Sequence, residues 1–301
     1  MSKQNNNQPL VSVIMNCYNG DLFLRESIES VLLQTYENWE LIFWDNRSVD
    51  KSAEIFKSYK DKRFKYYYAQ KHTLLSEARN EAIKRSSGEF IAFLDTDDLW
   101  EKDKLKLQLA LFQDSTVGIV YGNLFVLNEK LNTKKVFLKR KKPKGFVLDE
   151  LLKNYCTLLV TIMIRKSFLN NYKPAFDHSF HIAGDFDLMI RMSMKYKFSC
   201  VDKPIATYRV HEKNESLLNR RRQINELKNW CEKMTNYPTI FNNKNFSYIK
   251  QMINNFEIVN FILENDSEKA WTKIKKMPYS FKKIKYFMAL ILPNAFVKKF
   301  I

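Results

Sequence analysis

The first hundred residues alternate between two hydrophobic periods, and this alternation constrains the fold more than any other feature. Three short apolar runs have the length and composition of buried strands, and they are Leu10–Met15, Trp39–Trp44 and Glu89–Leu94. A further strand is predicted at Arg63–Ala69. Apolar residues recur at helical spacing between them, in Asp21–Gln34, Ser48–Tyr59 and Leu74–Arg85. Strands that alternate with helices predict right-handed crossovers and a mostly parallel sheet, which is an α/β fold.

The rest of the chain has a mixed middle and a helical end. We predict strands at Val117–Leu127 and Leu158–Ile164, and a helix at Asp185–Met194. After about Glu212 the apolar residues fall at helical spacing and the lysine content is high. We therefore expect one domain over residues 1–215 and a basic, helical C-terminal extension over residues 216–301.

Composition indicates the cellular compartment of the protein and the charge of its partner. The four cysteines, Cys17, Cys156, Cys200 and Cys231, form no C-x-x-C pair, and we expect free thiols in a reducing compartment. The N-terminus lacks a signal-peptide pattern, and no apolar run reaches the roughly 18 residues of a transmembrane helix, so we expect a cytoplasmic protein. The net charge of +17 favours an anionic partner.

Polar residues cluster where three of the predicted strands end. They are Asn16-Cys17-Tyr18-Asn19, Asp45-Asn46 and Asp95-Thr96-Asp97-Asp98. Ligands of parallel α/β sheets bind just beyond the carboxyl ends of the strands. The three loops therefore predict a nucleotide site.

The sequence Asp95-Thr96-Asp97-Asp98 is the sharpest chemical signal. Three carboxylates within four residues repel each other unless a cation lies among them. Mg²⁺ and Mn²⁺ prefer oxygen ligands and often keep substrate phosphates in their coordination shell. The alternative is a solvated acidic turn in which Asp98 caps the next helix.

Three further positions have both a chemical and a structural interpretation. Asp45 can accept hydrogen bonds from a base or ribose, or it is a turn residue. Asp185 begins a predicted helix, where the helix dipole keeps a carboxylate ionised for general-base catalysis, or it only caps that helix. Arg209 and His211 can bind phosphate and metal, or they belong to a surface loop.

At these residues the chain resembles the family-two inverting glycosyltransferases with the GT-A fold, over roughly residues 8–215. The resemblance lies in four stretches that occur in the family's order: Val11 to Asn19, Asp45 to Asp50, Ala78-Arg79-Asn80 with Gly88 to Asp98, and Tyr208-Arg209-x-His211. The chain departs from the family at Asn16, where Pro is frequent, at Asn46-Arg47, where Asp-Gly is frequent, and at Gly184, where Glu often precedes the base.

The resemblance implies a role for each matching residue. It assigns Asp185 as the catalytic base, and Asp97 and His211 as candidate ligands of Mn²⁺ or Mg²⁺. The residues it implies for binding the nucleotide-sugar are Asn16, Tyr18, Asp45, Arg79, Asp95 and Arg209. The implied enzyme is a metal-dependent, hexosyltransferase-like glycosyltransferase that inverts the anomeric carbon.

The family's commonest donors are UDP-sugars, and many relatives act on glycan or lipid-linked acceptors in surface polysaccharide or lipopolysaccharide assembly. By this resemblance we expect a UDP donor and an acceptor of that kind. No motif specifies the sugar, the linkage or the oligomeric state.

Two other functions deserve comparison. A sugar nucleotidyltransferase would normally carry a Gly-rich, basic loop after the first strand, whereas this loop has no Lys or Arg before Arg25. A nucleic-acid-binding protein would fit the charge, but the chain has no helix-turn-helix, zinc-finger or RNP-like motif, so we expect no nucleic acid partner.

The lysines suggest a different anionic partner. One basic segment contains Lys130, Lys134, Lys135, Lys139, Arg140, Lys141, Lys142 and Lys144. A second places Lys282, Lys283, Lys285, Lys298 and Lys299 among Phe281, Tyr286, Phe287, Leu290 and Phe300. Basic residues beside exposed apolar ones suit an anionic membrane surface, and we expect peripheral association at the inner face of the cell membrane. The alternative is a solvated basic face with ordinary helix packing.

Overall fold

The computed structural model of the protein describes residues 8–139 and 141–291. Its contacts divide the chain into two compact units. One unit holds the chain up to Leu151 together with Tyr155–Glu212, and the other holds Leu152–Asn154 and the chain from Lys213 onward. The assignment of functional domains to residues 1–215 and 216–301 stays a prediction.

A nine-stranded mixed sheet forms the centre of the first unit. Its strands are β1 (Val11–Cys17), β2 (Trp39–Asp45), β3 (Phe64–Tyr68), β4 (Phe90–Phe93), β5 (Leu99–Trp100), β6 (Val117–Asn128), β7 (Thr133–Val136), β8 (Met163–Arg165) and β9 (Lys197–Val210). Their order in the sheet is β3-β2-β1-β4-β8-β6-β9-β5, and β7 pairs with β6. Strands β3, β2, β1 and β4 are parallel to one another, and β8 joins them antiparallel to β4.

Helices connect these strands and form the regular structure described between β9 and Ile291. Those of the first part of the chain are α1 (Leu24–Leu32), α2 (Ser52–Ser58), α3 (Leu75–Lys84), α4 (Lys104–Leu111), α5 (Leu148–Lys153), α6 (Lys166–Leu169) and α7 (Gly184–Ser193). Those after β9 are α8 (Glu215–Leu218), α9 (Arg220–Lys233), α10 (Pro238–Phe241), α11 (Phe246–Leu263), α12 (Ser267–Lys275) and α13 (Phe281–Ile291). Single 3₁₀ turns lie at Leu159–Thr161 and Met234–Asn236.

The parallel strands β1, β2 and β4 are buried on both faces, which explains their continuous apolar sequences, whereas the edge strand β3 is only partly buried. Every residue of β2 is buried, and β1 is buried except at Asn16. Ile28 and Val31 of α1 pack into the same core as Val13 and Phe43 of the sheet. The strands and helices predicted for the first hundred residues are all present, with ends shifted by a few residues.

The strand predicted at Leu158–Ile164 is wrong in its first half. Residues Leu159–Thr161 form a 3₁₀ turn, and only Met163–Arg165 is a strand. The Thr161 hydroxyl closes the turn by donating to the Leu158 carbonyl at 2.8 Å. The carbonyls of Val160 and Thr161 accept hydrogen bonds from the side chains of Trp100 and Gln108. These carbonyls therefore bond to side chains of distant elements and not to a neighbouring strand.

The second unit has a small apolar core of its own. Ile258 and Ile262 of α11 pack with Ala270 and Ile274 of α12 and with Tyr286 of α13. No helix within residues 8–139 and 141–291 has both the length and the apolar character needed to cross a bilayer. The last ten residues, with the predicted basic and aromatic positions Lys298, Lys299 and Phe300, lie outside the described residues, as does Arg140.

Candidate functional site

The three polar loops predicted from the sequence meet at one edge of the sheet. In the β1–β2 register Cys17 pairs with Asp45, and the Asn46 N–H donates to the Cys17 carbonyl at 2.8 Å. On the other side of β1, the Leu94 N–H donates to the Ile14 carbonyl at 3.1 Å. Parallel pairing thus brings the end of β4 beside the ends of β1 and β2.

The first and third loops are in direct contact. A Cβ added at Gly20 would lie 2.5 Å from the Thr96 hydroxyl, so a larger residue would have to displace the Thr96 side chain. The buried Ser27 hydroxyl lies 2.8 Å from the Thr96 carbonyl oxygen and 2.7 Å from that of Asp98. Helix α1 therefore fixes the backbone of the third loop, Asp95–Asp98, which we call the acidic loop.

Asp45 is completely buried and already bound. One carboxylate oxygen accepts from the Ser48 N–H at 2.7 Å, and the other accepts from the Tyr66 hydroxyl at 2.7 Å. Burial and the Asp45 charge raise the pKa of Tyr66, so this hydroxyl keeps its proton and donates. Asp45 thus lies below the loop that it closes, without an exposed edge for a base.

Two exposed rings lie above this loop. The Tyr18 ring is 55% exposed, and its centroid is 4.2 Å from that of His72. The Nδ1 atom of His72 lies 2.9 Å from the Asn46 carbonyl oxygen. The Asn16 amide nitrogen is buried without a hydrogen-bond partner in the described chain. Flat rings beside an unsatisfied amide suit the stacking and hydrogen bonding of a planar base.

Arg79 of α3 contacts both the acidic loop and the segment that contains Phe176. Its Nη2 atom donates to Asp95 Oδ1 at 3.2 Å, and its guanidinium lies 5.5 Å from the centre of the Phe176 ring. Its side chain is almost fully buried, whereas that of Asp95 is 39% exposed. Burial raises the pKa of Asp95, and the Arg79 charge opposes that rise.

Asp97 and His211, predicted as metal ligands, lie side by side. The distance from His211 Nε2 to Asp97 Oδ2 is 2.9 Å, and both side chains are partly exposed. Within the described residues no group of three or more potential ligands is close enough to enclose an ion. A carboxylate and an imidazole fit Mn²⁺ or Mg²⁺ where diphosphate oxygens and water complete the shell, and not an all-protein cage.

Asp98 has a structural role. It is 2% exposed, and its Oδ1 atom accepts from the Arg209 N–H at 2.9 Å. Burial and the charges of Asp97 and Asp95 raise its pKa well above the ordinary value. The helix-cap alternative is wrong, because β5 follows Asp98 and the residue before α4 is Asp103.

Arg209 is not where a diphosphate-binding residue was expected. It is 3% exposed inside β9, and its Nη2 and Nη1 atoms pair with Glu26 and Glu129. Its Nε atom donates to the Asp97 carbonyl at 2.9 Å. The guanidinium is thus engaged on every side, and it positions the acidic loop. For Arg209 the surface-loop alternative is also wrong, since this residue occupies a buried position of β9, whereas His211 follows the end of that strand.

Asp185 and Asp187 share the first turn of α7 but differ in their surroundings. Asp187 is buried and forms an ion pair with Arg191 at 2.6 Å, so its role is structural. Asp185 is half-buried, and its Oδ1 atom accepts from the N–H of its own neighbour Phe186 at 2.8 Å. Burial raises the pKa of Asp185, opposed by the charge of Arg79. Ala183, not Asp185, is the residue before the helix, so the capping alternative is not supported.

The segment that leads to Asp185 is fastened to α3. The Asn80 amide donates to the Phe176 carbonyl at 2.7 Å, and its oxygen accepts from the Phe176 N–H at 2.9 Å. Further along, a Cβ added at Gly184 would lie 2.4 Å from the Ser76 hydroxyl, which is itself buried and has no hydrogen-bond partner among the described residues. Ser76 therefore fills the space that a side chain at position 184 would need.

The structure brings most of the predicted residues to one site. Asn16, Tyr18, Arg79, Asp95, Asp97 and His211 lie around the ends of β1 and β4, and the charges of Arg79 and Asp95 act on Asp185. Sequence reasoning missed Glu26, Glu129, His72 and Ser76. No local pattern marks them, because their partners are distant in sequence, as for Glu26 and Arg209, which are 183 residues apart.

Comparison with known proteins identifies the family. The profile of the family described as Glycosyl transferase family 2 matches residues 12–184, more than half of the chain. Similar to it is the Escherichia coli UDP-Glc:alpha-D-GlcNAc-diphosphoundecaprenol beta-1,3-glucosyltransferase WfgD, 36% identical over 169 residues. That alignment covers 56% of this chain and 65% of WfgD, so the chain spans just under two thirds of its relative.

Two solved structures share the fold. The Pyrobaculum calidifontis mannosyltransferase PcManGT, in complex with GDP-Man and Mn²⁺, superimposes with a TM-score of 0.65 at 16% identity, over 98% of this chain and 85% of that one. S. aureus TarS, in complex with UDP-GlcNAc, superimposes with a TM-score of 0.62 at 18% sequence identity, over 96% of this chain and 87% of that one. The predicted GT-A fold with C-terminal helices is confirmed.

Proposed function

This chain belongs to glycosyl transferase family 2, and we propose that it moves a sugar from a nucleoside-diphosphate donor onto a hydroxyl of its acceptor. One observation carries the proposal. Asp97 and His211 meet at the end of β4, where the ends of β1 and β2 also lie. We further propose residues 1–215 as the transferase domain and 216–301 as its extension.

The donor base would lie against Tyr18 and His72 and hydrogen-bond to the free amide of Asn16. Tyr18 is exposed and Asn16 lacks a partner among the described residues, which supports these roles. Asp45 would act indirectly, by holding the loop through Ser48. Asp95 would accept from the ribose while Arg79 keeps its carboxylate in place.

The nucleotide is proposed to be UDP. The name of the relative WfgD specifies UDP-Glc, whereas the fold neighbour PcManGT was solved with GDP-Man. Sequence identity is far higher to the former, which supports UDP over GDP.

Asp97 and His211 would hold Mn²⁺ or Mg²⁺. A bound ion supplies positive charge against the charge that grows on the departing diphosphate. Arg209 contributes differently from the sequence-based prediction: its buried guanidinium holds the Asp97 backbone and so fixes the direction of the Asp97 carboxylate.

Asp185 would take the proton from the acceptor hydroxyl, since its second carboxylate oxygen accepts no hydrogen bond in the described chain. The freed oxygen attacks the anomeric carbon from the face opposite the diphosphate, and the configuration inverts. Burial raises the pKa of Asp185, which makes it a stronger base than an exposed carboxylate.

We propose a glycan or lipid-linked acceptor in surface polysaccharide or lipopolysaccharide assembly. The support is the diphosphoundecaprenol acceptor in the name of WfgD. Such an acceptor is held in a bilayer, so the transfer would take place at a membrane surface.

Calorimetry with UDP, GDP and their sugar conjugates, with and without Mn²⁺, tests the donor site. We expect Mn²⁺-dependent binding of UDP that Asp97→Ala abolishes. Glu212→Gln is the matched control, because it removes an exposed carboxylate one residue from His211. Absence of nucleotide binding under every condition would contradict the proposal. Tighter binding of GDP than of UDP would identify GDP as the donor nucleotide instead.

A further inference from the structure

Helix α13 has an exposed apolar stripe. The stripe consists of Phe281, Ile284, Phe287, Met288 and Ile291. Phe281 is 94% exposed and Ile291 is 70% exposed, although both are large and apolar. Their spacing of three and four residues places them on one side of the helix, and we call this set the α13 stripe.

The other side of the same helix is packed. Tyr286 and Ala289 are buried in the core formed with α11 and α12, and Leu290 packs against it. At about 100° per residue, the α13 stripe covers an arc of roughly 120° that points away from this core. The helix is therefore held in place by one face, while no residue of the described chain covers an apolar face of similar width.

Lysines border the α13 stripe. The chain from Lys269 to Ile291 contains seven lysines and no acidic residue. Around the helix axis, Lys285 lies next to Phe281 at one edge of the stripe, and Lys283 lies next to Phe287 at the other edge. The Lys283 ammonium donates to the carbonyls of Lys275 and Met277, at 3.0 and 2.7 Å, so it also fixes α13 to the end of α12.

An aromatic residue precedes the helix. Tyr279 is 86% exposed, and Phe281 follows two residues later. Aromatic side chains next to lysines are the composition of helices that lie in the headgroup region of a bilayer. By contrast, three lysines of the other basic segment, Lys130, Lys134 and Lys144, are in ion pairs with carboxylates.

We propose that the α13 stripe docks on the surface of a bilayer that contains anionic lipids, with α13 parallel to the membrane plane. The apolar arc would enter the acyl boundary, and the bordering lysines would meet the phosphates. A second copy of this chain is a poorer occupant, because a two-fold contact through the stripe would bring the lysines of both copies together.

This inference deepens the proposed function, since it rests on a lipid-linked acceptor as the reason for membrane contact. Vesicle binding itself requires neither donor nor turnover. The two proposals can therefore fail separately: loss of donor binding would leave vesicle binding intact, and loss of vesicle binding would leave donor binding intact.

The test is co-sedimentation of the full chain with phosphatidylcholine vesicles, with and without phosphatidylglycerol. We expect binding to the anionic vesicles only. Phe281→Ser/Ile291→Ser should weaken it by at least about tenfold, because two exposed apolar anchors are lost. Lys285→Gln removes one of the bordering lysines and should weaken binding by roughly fivefold, and added salt should weaken it as well.

The matched control is Leu33→Ser/Phe146→Ser, which removes two apolar side chains of similar exposure from the first unit. It should bind as the native chain does. Equal weakening by the control pair, or no binding of the native chain to anionic vesicles, overturns the proposal. So does a dimer in light scattering that the stripe variant converts to monomer, because the stripe would then belong to a second copy.

Discussion

His211 Nε2 lies 2.9 Å from Asp97 Oδ2, although 114 residues separate the two in sequence. If this pair binds the metal, His211→Ala should weaken nucleotide binding in the presence of Mn²⁺ by about 10- to 100-fold and leave metal-free binding unchanged. Calorimetry on the native chain, His211→Ala and the control Glu212→Gln measures this. An equal loss with and without Mn²⁺ would place His211 on the nucleotide instead.

Asp185 and Asp187 offer a comparison within one helical turn. Asp185→Asn should lower the rate of transfer by about 10²- to 10⁴-fold with donor affinity and melting temperature unchanged. Asp187→Asn should instead destabilise the protein by about 3 kcal/mol, because it leaves the Arg191 charge buried without its partner. Single-turnover rates and urea unfolding separate the two effects. Near-native turnover of Asp185→Asn would remove it from the base role.

The raised pKa of Asp185 predicts the acid limb of the rate profile. A base acts when deprotonated, so the rate should fall as pH decreases through a pKa above the ordinary value of aspartate. The Arg79 charge lowers this pKa, so Arg79→Gln should move the limb to higher pH. The measurement is kcat against pH at saturating donor. A limb that moves to lower pH in Arg79→Gln would show that the arginine does not act on this carboxylate.

Arg47 stands at a backbone conformation that favours glycine, with φ of 75°. Arg47→Gly should raise the free energy of unfolding by up to about 1 kcal/mol, since the left-handed strain disappears. Asn132→Gly, at φ of 46°, is the control and should gain less, because asparagine tolerates this region. Urea unfolding measures both. Equal gains would mean that Arg47 carries no particular strain.

Gly184 and Ser76 occupy one space between them. Gly184→Ala should destabilise the protein by about 1–3 kcal/mol, because the new Cβ would meet the Ser76 hydroxyl. Ser76→Ala alone should be close to neutral, since that hydroxyl has no partner within the described residues. The double variant should recover most of the loss in a double-mutant cycle. Additive effects would show that the two positions do not compete.

The parallel part of the sheet could be predicted because each strand is a continuous apolar run that ends in polar residues. The same rule located Asp95 and Asp97, since the strand before them sets where they lie. It also placed Asp45 at a strand end, but it could not show that Ser48 and Tyr66 take up both oxygens.

The errors share one physical cause. Arg209 was predicted to face the diphosphate because its neighbours in sequence suggested a motif, whereas Glu26 and Glu129 from distant elements engage its guanidinium. Leu158–Ile164 has the composition of a strand, yet side chains from β5 and α4 take two of its carbonyls. Hydrogen bonds between distant elements leave no trace in local periodicity.

Asn80 attaches the Phe176 segment through backbone atoms alone. This link sets no requirement on the side chains of the segment, whereas the buried Phe176 ring does, because it packs against Phe93 and the Arg79 guanidinium. Lys173, Pro174, His178 and Ser179 beside it are exposed, so these positions are free to differ between relatives while Asn80 and Phe176 keep the segment attached to α3. Under the proposed function, acceptor choice can therefore change at the exposed positions without moving Asp185, and grafts there should succeed wherever Asn80 and Phe176 are kept.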